Sequence, residues 1–188
     1  MGPEQQTKIT DENRKDFYTF AYQMQTDQTE DLINLSGLTD PVIIIDCCGW
    51  HYQNFYPKKH IISIETIQTC LNYKLDPTKF DKLVDDRDIG NIKWPNLDIR
   101  DSTVIFDRSP ILKYRSIKEI NHMLEAVGQQ YQAESMVVRG FLLFVDDARL
   151  SEDRFYNFQS INVSNFIIIK FLYDTTNLIY EIWLKRKK

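Results

Sequence analysis

The 188-residue sequence predicts an α/β protein: a mostly parallel seven-stranded sheet that ends in an antiparallel hairpin. Three observations predict it. Short β-branched runs alternate with segments of helical period, the pattern of α/β folds. The run Val42-Ile43-Ile44-Ile45 shows no polar alternation, as expected of a central strand covered on both faces. Two long apolar runs near the C-terminus are separated only by residues 174–177, a spacing that pairs them as a hairpin.

Taken in order, residues 10–35 read as helical, with Phe17, Phe20, Ala21 and Met24 on one stripe. A second piece around Leu32, Ile33 and Leu35 ends near Gly37. Residues 1–40 are thus expected to form a helical segment packed on a single domain of residues 41–188. The first strand, 42–45, is closed by Asp46, and residues 47–57 read as irregular. A second strand, 61–64, is closed by Glu65, and Thr66 can cap a helix carrying Ile67, Cys70, Leu71 and Lys74. Pro77 stops that helix. A short third strand, 83–84, runs into Asp85-Asp86-Arg87-Asp88, and a loop with Gly90, Trp94 and Pro95 follows. The fourth strand, 103–106, is closed by Asp107. Ser116 and Glu119 form a capping box ahead of the stripe Ile120, Met123, Leu124 and Val127, with Gly128 as the expected stop. A fifth strand runs from 135 to 145, and the hairpin strands are 165–173 and 178–184.

Composition narrows the function. The net charge is −4, and −8 without the four basic residues Lys185 to Lys188. An acidic body disfavours broad nucleic-acid binding, which needs a basic face, except through that tail. Three cysteines, two of them adjacent, make no disulfide framework and no zinc-finger spacing, and the three histidines have no metal-ligand spacing. The polar N-terminus is no signal peptide, and no run approaches the ~18 apolar residues of a membrane span. A reducing, cytoplasmic setting is expected, without membrane or metal. Scarce Ala against abundant Ile, Lys, Asn and Tyr is the bias of AT-rich coding, common in some viruses and bacteria; with a viral source the setting is host cytoplasm or virion.

Acids recur at successive strand ends: Asp46, Glu65, the group Asp85, Asp86 and Asp88, and Asp107. Ligands of open α/β sheets bind outside these carboxyl ends, near the point where strand order reverses. Strand-ending acids are also common turn formers and caps. The order of these segments resembles the class I S-adenosylmethionine-dependent methyltransferases. PVIIID resembles their first strand and acid, HIISIE the second, KLVDDRDIGNIKWPN the third with its aromatic-proline loop, and STVIFDRSPIL the fourth. The capped helix and terminal hairpin match as well. The resemblance spans residues 30–184 and implies a Rossmann-like sheet with helices on both faces and S-adenosylmethionine as cofactor. It implies that Asp46 and the Cys48-Gly49 backbone hold the methionine end, Glu65 the ribose and Asp86 the adenine amine, with Asp85 or Asp88 as rivals for that last role. Asp107 would orient the methyl acceptor.

One motif departs from the family. Its first loop reads D-x-G-x-G-x-G, because glycine lets the backbone approach the cofactor closely. Here Cys48, Trp50 and Tyr52 hold the glycine positions, and Gly49 is out of register. The expectation is that Trp50 and Tyr52 fill or reshape the pocket and impair cofactor binding; the alternative is that they pack on the sheet edge. Two readings follow. In one, the fold is a scaffold, and the chain is a non-catalytic interaction or structural subunit of a larger protein assembly, a virus particle among the options. In the other, it is an active methyltransferase. His51 is a further general-base candidate, Arg108 either pairs with a carboxylate or is solvated, and the basic tail either touches an anionic surface or guards an edge.

Overall fold

In the computed structural model, residues 32–47, 49–112, 115–141, 160–174 and 179–188 are described. Seven strands form one sheet: β1 (Val42–Ile45), β2 (Ile61–Thr66), β3 (Lys82–Val84), β4 (Thr103–Asp107), β5 (Ser135–Phe141), β6 (Phe166–Asp174) and β7 (Ile179–Arg186). Their order is β3-β2-β1-β4-β5-β7-β6. β1 to β5 run parallel, and β7 lies antiparallel between β5 and β6. The direction of strand progression reverses between β1 and β4, and it is at the crevice outside such a switch point that open α/β sheets bind their ligands.

Strand alternation divides the apolar residues into two layers. Ile43, Ile45, Val104, Phe106, Met136 and Val138 pack with the buried stripe of helix α3 (Ile117–Gln130). Val42, Ile44, Ile105 and Val137 face the other way, toward Leu32, Ile33, Leu35 and Tyr52 of helix α1 (Trp50–Phe55). Both faces of the central strands are therefore dry, which is why β1 reads as an unbroken β-branched run.

Most elements fall where the sequence places them. The capping box is formed: Ser116 accepts from the Glu119 N–H, and Glu119 accepts from the Ser116 N–H. Thr66 caps helix α2 (Ile67–Tyr73) by accepting from the Thr69 N–H. Four expectations need correction. Residues 32–35 are not helical; Leu35 to Leu38 instead form a turn with Gly37 at φ +80°. Residues 47–57 hold helix α1 and are not irregular throughout. In α2 the inward face is Thr69 and Cys70, whereas Ile67 and Leu71 are exposed. Gly128 does not stop α3; a Cβ there would lie 3.2 Å from Phe166 and 3.4 Å from Met136, so the glycine lets helix and sheet approach closely. The helical stripe 17–24, the extension of β5 to 145 and the hairpin turn lie outside the described residues.

Candidate functional site

The strand ends around the crevice carry the acids. Asp46 and Arg108 follow or close adjacent strands with φ of +56° and +55°, left-handed values that non-glycine residues adopt at a cost of order 1–3 kcal/mol. Side-chain and backbone bonds hold both in place. Asp46 is buried; its Oδ1 accepts from Thr66 Oγ1 at 3.0 Å, and its Oδ2 from the Ile111 N–H at 2.6 Å. Ser109 donates to the Ile45 carbonyl at 2.6 Å. The loop after β4 is thereby tied across the end of β1.

Asp107 is wholly buried at the end of β4. Arg139, its register partner on β5, donates Nε to Oδ1 at 2.8 Å and Nη2 to Oδ2 at 2.9 Å. Arg108 donates to the same two oxygens at 3.0 and 3.1 Å. Tyr52, fully buried on α1, donates its hydroxyl to Oδ2 and accepts from the Ile33 N–H at 3.1 Å. One turn later Tyr56 accepts from the Leu35 N–H at 3.3 Å. The two phenols thus lay residues 33–35 over α1. Burial alone would raise the Asp107 carboxyl, but the guanidiniums of Arg108 and Arg139 hold it well below the usual carboxylate range. Burial and the Asp107 charge push the Tyr52 phenol well above its ordinary value, so it stays a donor.

The charges continue along one row of the sheet. Arg139 pairs in register with Glu181 of β7, at 3.8 Å between Nη1 and Oε1. Glu181 also accepts from the Trp183 indole at 2.9 Å. The sequence reading missed Arg139 and Glu181. Their signal was a charge inside each apolar strand run, Val138-Arg139-Gly140 and Tyr180-Glu181-Ile182.

The other predicted site residues lie farther along the same edge. Glu65 is buried inside β2 rather than past its end, and accepts from the Thr66 N–H at 3.3 Å. Asp86 lies half-buried beyond β3, its N–H donating to Gln68 Oε1 at 3.1 Å. Its own Oδ1 is buried without a hydrogen-bond partner among the described residues. Burial, then the nearby Asp46 charge, pushes the Asp86 carboxyl up to about 6. Asp85 instead binds Arg87, Nη2 to Oδ2 at 2.6 Å. The loop also borders an open depression of about 650 Å³, lined by residues that include Asp85, Arg87, Asp88 and Lys93.

Gly49 is buried, and a Cβ on it would lie 2.9 Å from Ile44 Cβ and 3.0 Å from Ser63 Cβ. Its missing side chain lets the start of α1 sit on β1 and β2. Cys48 and the Trp50 side chain lie outside the described part of the chain. His51 is buried, and burial lowers its imidazole to about 4, so it is neutral at pH 7. Cys47 and Cys70 are buried. No cluster of His, Cys, Asp or Glu among the described residues could hold a metal ion, and no described helix is long and apolar enough to cross a membrane. The basic tail is partly structural: Arg186 belongs to β7 and donates to the carbonyls of Ala133 at 2.8 Å and Gly128 at 3.3 Å.

No family model matches the sequence, and no curated protein matches it. Solved structures do match the fold. A TehB-like SAM-dependent methyltransferase from Corynebacterium glutamicum superposes with a TM-score of 0.51 at 6% identity, over 94% of this chain and 100% of that one. The methyltransferase domain of bacterial CtHen1-C matches at TM-score 0.48 and 9% identity, over 94% and 99%. The 16S rRNA methyltransferase RmtF, in complex with S-adenosyl-L-homocysteine, matches at TM-score 0.48 and 10% identity over 78% of this chain; the match spans only 55% of RmtF. The strand order, the antiparallel β7 between β5 and β6 and the first of these superpositions agree: this chain has the class I S-adenosylmethionine-dependent methyltransferase-like fold.

Proposed function

We propose that this chain keeps the methyltransferase fold with a crevice closed by its own side chains, and that it acts as a non-catalytic interaction or structural subunit of a larger protein assembly. The observation that carries this reading is Tyr52. It stands at a glycine position of the family motif, its ring packs in the apolar layer under α1, and its hydroxyl donates to Asp107 and accepts from the Ile33 N–H. The donors and acceptors around it are already matched: Asp46 by Thr66 and Ile111, Asp107 by two arginines. A ligand's amine or hydroxyl would have to displace charge-assisted bonds, each worth ~1.5–3 kcal/mol. On this reading the residues at the β1–β4 crevice do not fit S-adenosylmethionine, and no methyl-transfer step is assigned to them.

A second reading, an active methyltransferase, is favoured by Asp86. Its Oδ1 lacks a hydrogen-bond partner among the described residues, at the segment where the fold family meets the adenine amine. In that reading Glu65 holds the ribose, Asp46 with Cys48 and Gly49 the methionine end, and Asp107 orients the acceptor. Titration calorimetry with S-adenosylmethionine separates the two. The scaffold reading expects no binding heat from the wild type. Micromolar binding that disappears in Glu65→Ala would establish the enzyme reading instead.

A further inference from the structure

We propose that the open face of the β6–β7 hairpin docks on an anionic lipid surface, with Lys185 and Lys187 at the headgroups and Ile167 and Leu172 against the acyl boundary. The proposal goes beyond the function above and does not depend on what the crevice binds.

Alternation along β7 puts Glu181, Trp183 and Lys185 on one face of the sheet. Register places Leu172 beside Glu181, Lys170 beside Trp183 and Ile167 beside Lys185 on that same face. It is the α1 side: Val137, the register partner of Trp183 on β5, packs with Tyr52 and residues 32–35. That apolar layer ends at the half-buried Trp183. Farther out, Ile167 and Leu172 are 49% and 47% exposed. Lys185 is exposed. Lys187, two residues on and also exposed, keeps the strand going by donating its N–H to the Asn165 carbonyl at 2.7 Å. Among the described residues no carboxylate pairs with either lysine. The acid of this face is already matched: Glu181 accepts from the Trp183 indole and lies 3.8 Å from Arg139 and 4.0 Å from Lys170. The hairpin therefore presents aliphatic side chains bordered by unpaired positive charge, on a chain that is otherwise acidic.

The chemistry of these groups selects the occupant. The unpaired cations are lysines, whereas the nearby arginines turn inward, Arg139 to Asp107 and Arg186 to the carbonyls of Ala133 and Gly128. Protein interfaces favour arginine and are poor in lysine, because a guanidinium makes fixed, bidentate pairs. An ammonium on a flexible stem suits a diffuse layer of anionic headgroups instead. The exposed apolar groups are aliphatic. Single-stranded nucleic acid is held by aromatic rings on which its bases stack, and the Trp183 ring is covered by Lys170 at 5.2 Å. Lysines beside Ile, Leu and Trp are the composition that lays amphipathic elements on membranes. Such a contact needs no spanning run.

Flotation of the full chain with vesicles tests this. Vesicles of equal parts phosphatidylserine and phosphatidylcholine should carry the protein, and vesicles of phosphatidylcholine alone should not. Each lysine near an anionic leaflet contributes about fivefold to partitioning, so Lys185→Gln with Lys187→Gln should weaken binding about 25-fold. Added salt should release the wild type. Ile167→Ser with Leu172→Ser leaves the charge unchanged and should weaken binding by roughly tenfold. Acyl-brominated vesicles supply a second readout that leaves all four residues in place. They should quench the tryptophan emission of the wild type, and Trp183→Phe should abolish that quenching. A wild type that does not float with phosphatidylserine would overturn the proposal. So would binding indifferent to the serine pair, which would be the work of a charged tail alone, or quenching that persists in Trp183→Phe, which would put the contact elsewhere. A labelled single-stranded RNA that binds through the same lysines while the vesicles do not would assign them to nucleic acid instead.

Discussion

Asp107 and Asp86 stand at the same end of one sheet, three strands apart, in opposite states. Asp107 is fully buried, yet its carboxyl is held well below the usual range. Asp86 is only half-buried, yet its carboxyl rises to about 6. Burial alone would order them the other way. What differs is the supply of donors. Asp107 draws on Arg108, Arg139 and Tyr52, from its own loop, the adjacent strand and α1. Asp86 has the Asp46 charge nearby and one oxygen that nothing reaches among the described residues. A strand-end acid is thus a structural anchor or an open group according to what neighbouring strands aim at it. The crevice at β1 and β4 is internally matched; the end beyond β3 is not.

The comparison breaks most visibly if Asp107 is removed. Asp107→Ala leaves two buried guanidiniums facing each other across an empty site. Removing one partner of a buried ion pair typically costs ~3–5 kcal/mol, and urea denaturation at pH 7 should show a loss of that size. The anchor's own pH dependence follows from its sign. A carboxyl lowered in the fold stabilises above its ordinary unfolded value of 3.8, and that stabilisation is lost only as pH falls toward the lower folded value. A loss below about 1 kcal/mol would show that the arginines do not depend on Asp107, and the distinction between the two acids would lapse.

Tyr52 sharpens the same contrast at a smaller scale. Tyr52→Phe keeps the ring in its layer but removes a hydroxyl that serves a charged oxygen and the buried Ile33 N–H. The expected loss is ~1.5–3 kcal/mol, the range for hydrogen bonds to charged groups. Tyr56→Phe removes one bond to the Leu35 N–H from a half-buried ring, so ~0.5–1.5 kcal/mol should go. Paired urea curves for the two variants check the order. Equal losses would mean that Tyr52 acts by filling space, not by matching the crevice.

Much of this was legible in the residues. The central strands follow from β-branched runs such as Val42 to Ile45, because dry strands need no polar alternation; the hairpin follows from the short gap between the last two apolar runs, and the third strand from Leu83 and Val84 alone. The capping box at Ser116 and Glu119 is a local signal that tertiary structure did not override. Helix α1 was hidden because Trp-His-Tyr-Gln-Asn-Phe has low helix propensity; packing of Tyr52 and Gly49 on the sheet makes it, not local preference. The acids at the strand ends were also readable, since each ends or follows an apolar run. Their states were not. Nothing local to Asp107 tells that Arg139 stands in register 32 residues later, because that pairing exists only once β4 and β5 lie side by side.

Asp86 supplies the smallest effect and the clearest sign. Its folded value of about 6 lies above the ordinary 3.8. The folded state therefore holds more protons than the unfolded chain between about pH 4 and 6. Stability from this group is present at low pH and declines as pH rises through that window, opposite in sense to Asp107. A two-unit shift corresponds to roughly 3 kcal/mol, but the side chain is only partly buried, so screening brings the expected effect to about 1 kcal/mol. Asp86→Asn carries no charge to penalise. It should match the wild type near pH 4 and exceed it by about 1 kcal/mol at pH 7 and above, measured by urea denaturation across that range. A difference independent of pH would mean that Asp86 is already matched in solution, and the open end of the sheet would then be as closed as the crevice.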